Sequence, residues 1–300
     1  MKAGFAALIG RPNVGKSTLL NRLTGEKIAI VSPKPQTTRS RILGVVTRPE
    51  GQVAFVDTPG IHQAKGALNR MMVDVALTAA NECDVVLFMI EAEAQGVSEG
   101  NQLVVKQLQH AKKPVILVIN KIDEIQKALL LPLIAKWKDV LPFAEVMPIS
   151  ARTGDGVDRL FELVAKLMPE SEQPLFPPDV FTDQAERTLV AELIREQLLR
   201  HCREEIPYSS AVVVEIFDES ERETGRQGLV RIDAAIFVER EGQKAIVIGK
   251  RGSMLKTIGT DARKSIERML GCRVFLSLRV KVESRWSEDL RGLRKMGYGD

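Results

Sequence analysis

Eight residues near the start of the chain, Gly10-Arg11-Pro12-Asn13-Val14-Gly15-Lys16-Ser17, place two glycines, an amine and a hydroxyl at a spacing suited to holding phosphate. Glycines let the backbone wrap phosphate oxygens closely, and successive amides backed by a helix N-terminus face the negative charge. The apolar run FAALI precedes the loop and the helical pattern STLLNRL follows it, which is the strand–loop–helix context such a loop requires. Lys16 is placed to reach the β- and γ-phosphates, Ser17 to hold Mg²⁺ through its hydroxyl, and Thr18 to continue the cradle into the helix.

Three further pieces follow in order, each at the end of an apolar run. In Asp57-Thr58-Pro59-Gly60, the carboxylate is placed to hold the Mg²⁺ shell through water, and the Gly60 amide to meet a γ-phosphate. In Asn120-Lys121-Ile122-Asp123, the Asp123 carboxylate can accept from the ring N–H and exocyclic amine of guanine. Adenine offers neither donor and would leave a buried acceptor unpaired. Asn120 can contact the other base edge, and the Lys121 stem can cover the base. In Ser150-Ala151-Arg152, the Ala151 amide can meet the guanine carbonyl. Lys16 and Gly60 thus become candidates for stabilising a transferred phosphoryl group. The residue after Gly60 is Ile61, which cannot orient an attacking water, so slow intrinsic turnover is expected. His62 beside it reads as a solvated loop histidine rather than a base.

A second glycine-flanked turn, Gly249-Lys250-Arg251-Gly252, lies far downstream within VIGKRGSMLKTIG. It lacks a hydroxyl at phosphate-loop spacing and a second Asp-x-x-Gly segment. Its two glycines admit close approach of a sugar-phosphate chain that Lys250 and Arg251 would neutralise. Lys256, Arg263 and Lys264 add charge along the next helix. Ile248, Leu255 and Ile258 are candidate floor residues. The sequence suggests an aromatic-poor groove, in which bases are read by edge hydrogen bonds rather than by ring stacking.

The elements that must hold these pieces are legible as patterns. FAALIG, ILGVVT, QVAFVD, DVVLFMI, KPVILVIN and AEVMPIS are short, apolar and rich in Val and Ile, as strands covered on both faces are. Helical patterns alternate with them, predicting an α/β unit with a mixed, mostly parallel sheet flanked by helices. Residues 171–182, rich in proline, read as a linker between a unit over 1–170 and another over 183–300. The latter begins with an amphipathic helix that Thr182 or Asp183 would cap, and its order, α-β-β-α-α-β, predicts a smaller α+β fold.

Charge is uneven. The chain's net charge is only +4, yet residues 244–281 carry ten basic and two acidic side chains, while 215–241 carry eight acidic and four basic. One strongly basic face is expected. Three scattered cysteines lack metal-ligand spacing and suit a reducing cytosol. The N-terminus has no signal-peptide anatomy, and no apolar run approaches a membrane span.

Taken together, GRPNVGKS, QTTRS, DTPG, NKID and SAR resemble the five G motifs of the translation-factor-related small GTPases, and α-β-β-α-α-β with its G-x-x-G turn resembles the prokaryotic KH fold. An N-terminal GTPase joined to a C-terminal KH domain, with the tail WSEDLRGLRKMGYG, resembles the Era family. The resemblance implies that QTTRS is the first switch, with Thr38 (favoured over Thr37) completing the Mg²⁺ site and joining the catalytic set. It places Asn13 where a K⁺ ion would be held. It also implies GTP and GDP as ligands, a monomer, binding to 16S rRNA near its 3′ end, a role in 30S subunit assembly, and a cytoplasmic location with peripheral contact at the inner face of the cell membrane. The rival reading is a GTP-regulated binder of another RNA or of the anionic membrane surface.

Overall fold

The structure, a computed structural model, describes residues 1–64, 66–93, 97–109, 111–223 and 228–298. The chain divides into two compact units, residues 1–65 with 69–183 and residues 66–68 with 184–300.

The elements of the first half run β1 (Ala3–Gly10), α1 (Lys16–Thr24), β2 (Ile42–Arg48), β3 (Gly51–Asp57), α2 (Ala67–Glu82), β4 (Val85–Glu91), α3 (Glu99–Leu108), β5 (Val115–Asn120), α4 (Leu130–Trp137), β6 (Glu145–Pro148) and α5 (Val157–Leu167). All six expected strands form one sheet in the order β2-β3-β1-β4-β5-β6. Only β2 runs against its neighbour, pairing Ile42 with Asp57. Two residues separate β2 from β3, enough for a hairpin and too few for a parallel crossover.

Alternate residues along each strand feed separate apolar layers. Leu8, Phe55, Leu87 and Ile116 pack with Leu19, Leu20, Leu160 and Phe161 on one face. Ile9, Val56, Phe88 and Ile119 pack with Ala76, Val104 and Trp137 on the other. Burial on both faces is why the strands read as nearly unbroken apolar runs. From β1 the chain passes to β3 on one side and later to β4 on the other, so a switch point lies at the carboxyl end of β1, where open α/β sheets bind ligands.

The proline-rich stretch is tied to the sheet's edge. The Phe176 amide donates to Gln52 Oε1 (2.9 Å) and Gln52 Nε2 donates back to the Phe176 carbonyl (2.8 Å). The Val45 amide donates to the Phe181 carbonyl (2.9 Å), and the Thr182 hydroxyl to the Leu43 carbonyl (2.7 Å). The bonds to Val45 and Leu43 cover part of the outer edge of β2, whose polar groups would otherwise invite pairing with another chain.

The second half runs α6 (Glu186–His201), α7 (Ile206–Ser209), β7 (Ala211–Glu221), β8 (Leu229–Val238), α8 (Glu241–Ile248), α9 (Ser253–Leu270), β9 (Arg273–Val282) and α10 (Leu290–Lys295). The expected α-β-β-α-α-β order is present, with α7 inserted and α10 added in the tail. In its sheet, β8 lies antiparallel to β7 and parallel to β9. Two expectations about α6 need correcting. The helix starts at Glu186 with Ala185 in the cap position, because the Thr182 hydroxyl is engaged by Leu43. Nor is it amphipathic: every residue from Leu193 to Leu199 is buried. The charged members of that run survive burial through pairing, Arg195 with Glu192 (2.6 Å) and Glu196 with Arg200 (3.3 Å).

All three cysteines are free thiols. Burial, with Asp84 and Glu82 nearby, pushes the Cys83 thiol up to about 12, which leaves it inert.

Candidate functional site

The phosphate loop joins β1 to α1, so the first amides of α1 point out of the sheet's carboxyl edge. Gly15 precedes the helix at φ 98°, and a Cβ there would come within 2.2 Å of Asn120 Nδ2. Glycine is therefore required both for the backbone angle and for the approach of β5. Lys16 donates to the carbonyls of Gly10 (3.3 Å) and Arg11 (3.0 Å). The residue is 6% exposed. Burial lowers its pKa to about 8, against the pull of Asp57.

Asp57, at the end of β3, sits across the loop. Its Oδ2 accepts from Ser17 (2.5 Å) and Thr38 (3.3 Å), whose hydroxyls lie 2.9 Å apart. Its Oδ1 is buried without a hydrogen bond of ordinary geometry. Burial raises the pKa of this carboxyl, opposed by Lys16 and by the two hydroxyls. Two convergent hydroxyls beside an incompletely satisfied buried carboxylate form an all-oxygen donor set of the kind a hard dication takes, so Mg²⁺ fits here. Thr38 joins this cluster, whereas the Thr37 hydroxyl donates to the Lys34 carbonyl (2.7 Å).

The depressed Lys16 has a measurable consequence. Phosphate oxygens restore the counter-charge that burial denies it, so binding raises its pKa. Free protein has partly lost that proton above pH about 8, and the complex must take it up. Nucleotide affinity is expected to fall as pH rises from about 8 to 9, with net proton uptake in calorimetry run in buffers of different ionisation enthalpy. Binding without proton uptake across that range would contradict the reading.

At the other end of a cleft of about 740 Å³ lie Asn120, Lys121, Asp123, Ala151 and Arg152. Asp123 has Ser150 and Arg152 beside it, which hold its carboxyl below the usual range, and Arg152 forms an ion pair with it. Lys121, at φ 66°, pairs with Glu91. Asn120 differs from expectation. Its Nδ2 donates to the Val14 carbonyl (2.8 Å) and its Oδ1 accepts the Ala151 amide (2.9 Å). Here, rather than standing free for a base edge, it ties the phosphate loop to the Ser150 segment. The Ala151 amide expected at the guanine carbonyl is engaged in the same tie.

Pro12, Asn13, Gly15, Lys16, Ser17, Thr18, Thr38 and Gly60 line the cleft. Gly10, Val14, Asp57, Thr58, Pro59 and Ser150 do not line it, and Arg11 turns away to a second cavity, where it donates to Ser98 Oγ (2.9 Å). Ile61 reaches the site only through its amide, which donates to the Gly10 carbonyl (3.0 Å). Its side chain is 1% exposed in the core. His62 is held rather than solvated: Nδ1 meets the Gly60 carbonyl (2.8 Å) and Nε2 the Asn69 amide oxygen (3.1 Å). Asn13 Nδ2 donates to the Pro33 carbonyl (2.7 Å), joining the loop to the segment before Thr38. Residues that the sequence did not single out include Glu91, which partners Lys121, and Arg22, which donates to the Ala151 carbonyl (3.2 Å). Their only sequence signal is a charge in a helix or at a strand end, which does not distinguish them from solvated residues.

In the second unit, the Gly249–Gly252 turn joins α8 to α9. Gly249 has φ 71°, and a Cβ there would lie 2.7 Å from Met254 Cβ. Arg251 adopts a left-handed φ of 52°. Lys250 and Arg251 are exposed at the tip. Beside the turn, a groove of about 480 Å³ is lined by Gly252, Leu255, Lys256, Gly259 and Arg263 and by Val274, Phe275, Leu276 and Leu278 of β9. Of the expected floor residues, Leu255 lines it. Ile258 is fully buried in the core, and Ile248 is half-buried outside the groove. Lys264 lies off the groove, 3.7 Å from Asp261. The basic face is also narrower than the charge count suggests. Arg279 pairs with Glu215 and Asp233, and Lys281 with Glu215, so the acidic strands absorb those charges. Nor is the groove free of aromatics, since Phe275 lines it and is 56% exposed.

Comparison with known proteins agrees with this arrangement. Residues 5–121 match a family described as 50S ribosome-binding GTPase, and residues 205–287 match the KH domain family. GTPase Era of Geobacter metallireducens is 54% identical over 99% of this chain and 98% of its own length. A crystal structure of a tyrosine-to-alanine variant of Aquifex aeolicus Era bound to GDP and aluminium fluoride superposes with a TM-score of 0.92 at 42% identity over the whole of both chains. A structure of Era with MgGDPNP and nucleotides 1506–1542 of 16S ribosomal RNA superposes with a TM-score of 0.93 at 42% identity, again over both whole chains. With G motifs, KH groove and full-length identity in agreement, this chain belongs to the Era family of GTPases.

Proposed function

We propose that this chain binds GTP with Mg²⁺, hydrolyses it slowly to GDP and phosphate, and grips 16S rRNA near its 3′ end through the KH groove during 30S subunit assembly. The observation that carries the reading is the convergence of Lys16, Ser17, Thr38 and Asp57 at one end of a cleft whose other end presents Asp123. A family relative holds MgGDPNP and a 16S rRNA fragment at once.

Bound Mg²⁺ would supply Lewis-acid charge between the β- and γ-phosphates, held by Ser17 and Thr38 with Asp57 behind. Lys16 stabilises charge on the transferring phosphoryl group, and the Gly60 amide meets the γ-phosphate. A buried Ile61 orients no water, which supports a slow basal rate. The γ-phosphate would order the segments around Thr38 and Gly60, and by linkage the nucleotide state and RNA affinity would bias each other. Single-turnover GTP hydrolysis with and without the 3′-end RNA tests the enzyme. Crosslinking of cellular RNA tests the partner.

K⁺ belongs to the same proposal. Asn13, the residue the resemblance assigns to K⁺, donates from Nδ2 to the Pro33 carbonyl and so joins the phosphate loop to the segment before Thr38. Hydrolysis is expected to be faster in K⁺ than in Na⁺ buffer, with the difference lost in Asn13→Ala. Equal rates in the two salts would remove K⁺ from the mechanism. A monomer in the cytoplasm, with peripheral contact at the inner membrane face, completes the proposal. Among the described residues no helix is long and apolar enough to cross a membrane. Competition between anionic vesicles and the RNA would test the surface contact.

A further inference from the structure

We propose that Phe275 is a base-stacking residue of the KH groove, against whose ring one unpaired base of the RNA strand lies flat. The inference rests on the RNA reading above and adds a residue to it. β9 is an outer strand of its sheet, so no further strand covers its free side. Val274 turns inward and is 3% exposed, while Phe275, next along, stands opposite Arg231 on the other face and is 56% exposed. Among the described residues of this unit, no other aromatic is exposed to that degree. Leaving so much of a ring in water forgoes the stabilisation its burial would bring.

The position of the ring suggests what it serves. Phe275 lines the groove whose helical wall carries Lys256 and Arg263. Neither cation is ion-paired among the described residues. A strand whose phosphates follow those cations presents its bases toward β9. Gly259 lets Leu278 of β9 pack close on α9, where a Cβ would press to 3.3 Å from Leu278 Cδ1, although glycine weakens the interior of the helix. A base leaving the groove over the β9 rim meets the ring. Stacking is indifferent to base identity, so Phe275 would contribute affinity rather than sequence preference.

The test uses the full-length protein and the 16S rRNA fragment spanning nucleotides 1506–1542, with 2-aminopurine replacing adenines one at a time. Phe275→Ala is expected to weaken binding about tenfold, and Phe275→Trp to restore it. At one position, 2-aminopurine fluorescence should be quenched by the parent protein and not by Phe275→Ala. Thermal melting of both variants checks their folding, and their GTP affinity should match the parent. Lys250→Glu with Arg251→Glu runs alongside. If that pair weakens binding and Phe275→Ala does not, the stacking role is overturned while the groove stands. If Phe275→Ala weakens binding but Trp fails to restore it and no quenching is lost, the ring acts only structurally and the role is again overturned. If the charge-reversed pair binds normally, the RNA reading itself fails and this inference with it.

Discussion

Asp123→Asn is expected to lower GTP and GDP affinity by about a thousandfold and to create affinity for xanthine nucleotides. The carboxylate stays ionised because Ser150 and Arg152 hold its pKa down, so both oxygens are acceptors. Guanine presents two adjacent N–H donors to them. The amide in Asn replaces one acceptor with a donor, which then faces a guanine N–H. That loses one charge-assisted hydrogen bond and creates a repulsion inside a cleft, where an unmatched polar group is costly. Xanthine carries a carbonyl where guanine carries its amine, so the substituted side chain matches it. Fluorescent-nucleotide titration with the two bases checks both halves. Undiminished GTP affinity would mean that the base is read elsewhere.

The paired substitution Lys250→Glu and Arg251→Glu is expected to weaken RNA binding about a hundredfold at moderate salt and leave GTP affinity unchanged. Both side chains are exposed at a turn whose shape depends on flanking glycines, so reversing their charge costs the fold little. Each phosphate of a single strand that is no longer neutralised should flatten the dependence of log affinity on log salt by about 0.7, or about 1.4 for two. Titrations at several salt concentrations separate this from weakened base recognition, which would lower affinity without changing the slope. An unchanged slope and affinity would exclude the turn from RNA binding.

The functional pieces legible in the sequence are those whose chemistry is local. A phosphate cradle uses the amides of consecutive residues and the start of the helix they open, so Gly10 to Ser17 is readable without its neighbours. Asp57 was readable because it ends an apolar strand and Asp123 because it follows closely on one, and strand ends of a parallel sheet converge on one edge. The doubly covered sheet was readable from strands apolar at every position, and the KH order from the sequence of periodicities.

What depended on surfaces meeting was not readable. Asn120 serves as a tie because Val14, far back in the chain, and Ala151 both arrive beside it. Ile61 turns into the core and His62 is pinned at both nitrogens only once β3 and α2 are in place. Arg279 and Lys281 are neutralised because β7 and β8 bring Glu215 and Asp233 to the β9 side chains. Phe275 stands exposed at the rim of a groove because its strand ends the sheet and its side chain falls on the face opposite Val274. Sequence by itself thus determined the backbone-borne phosphate chemistry and the order of elements, since both are written in contiguous residues. Tertiary structure alone decided which side chains are free to act, because burial and pairing are set by partners distant in the chain.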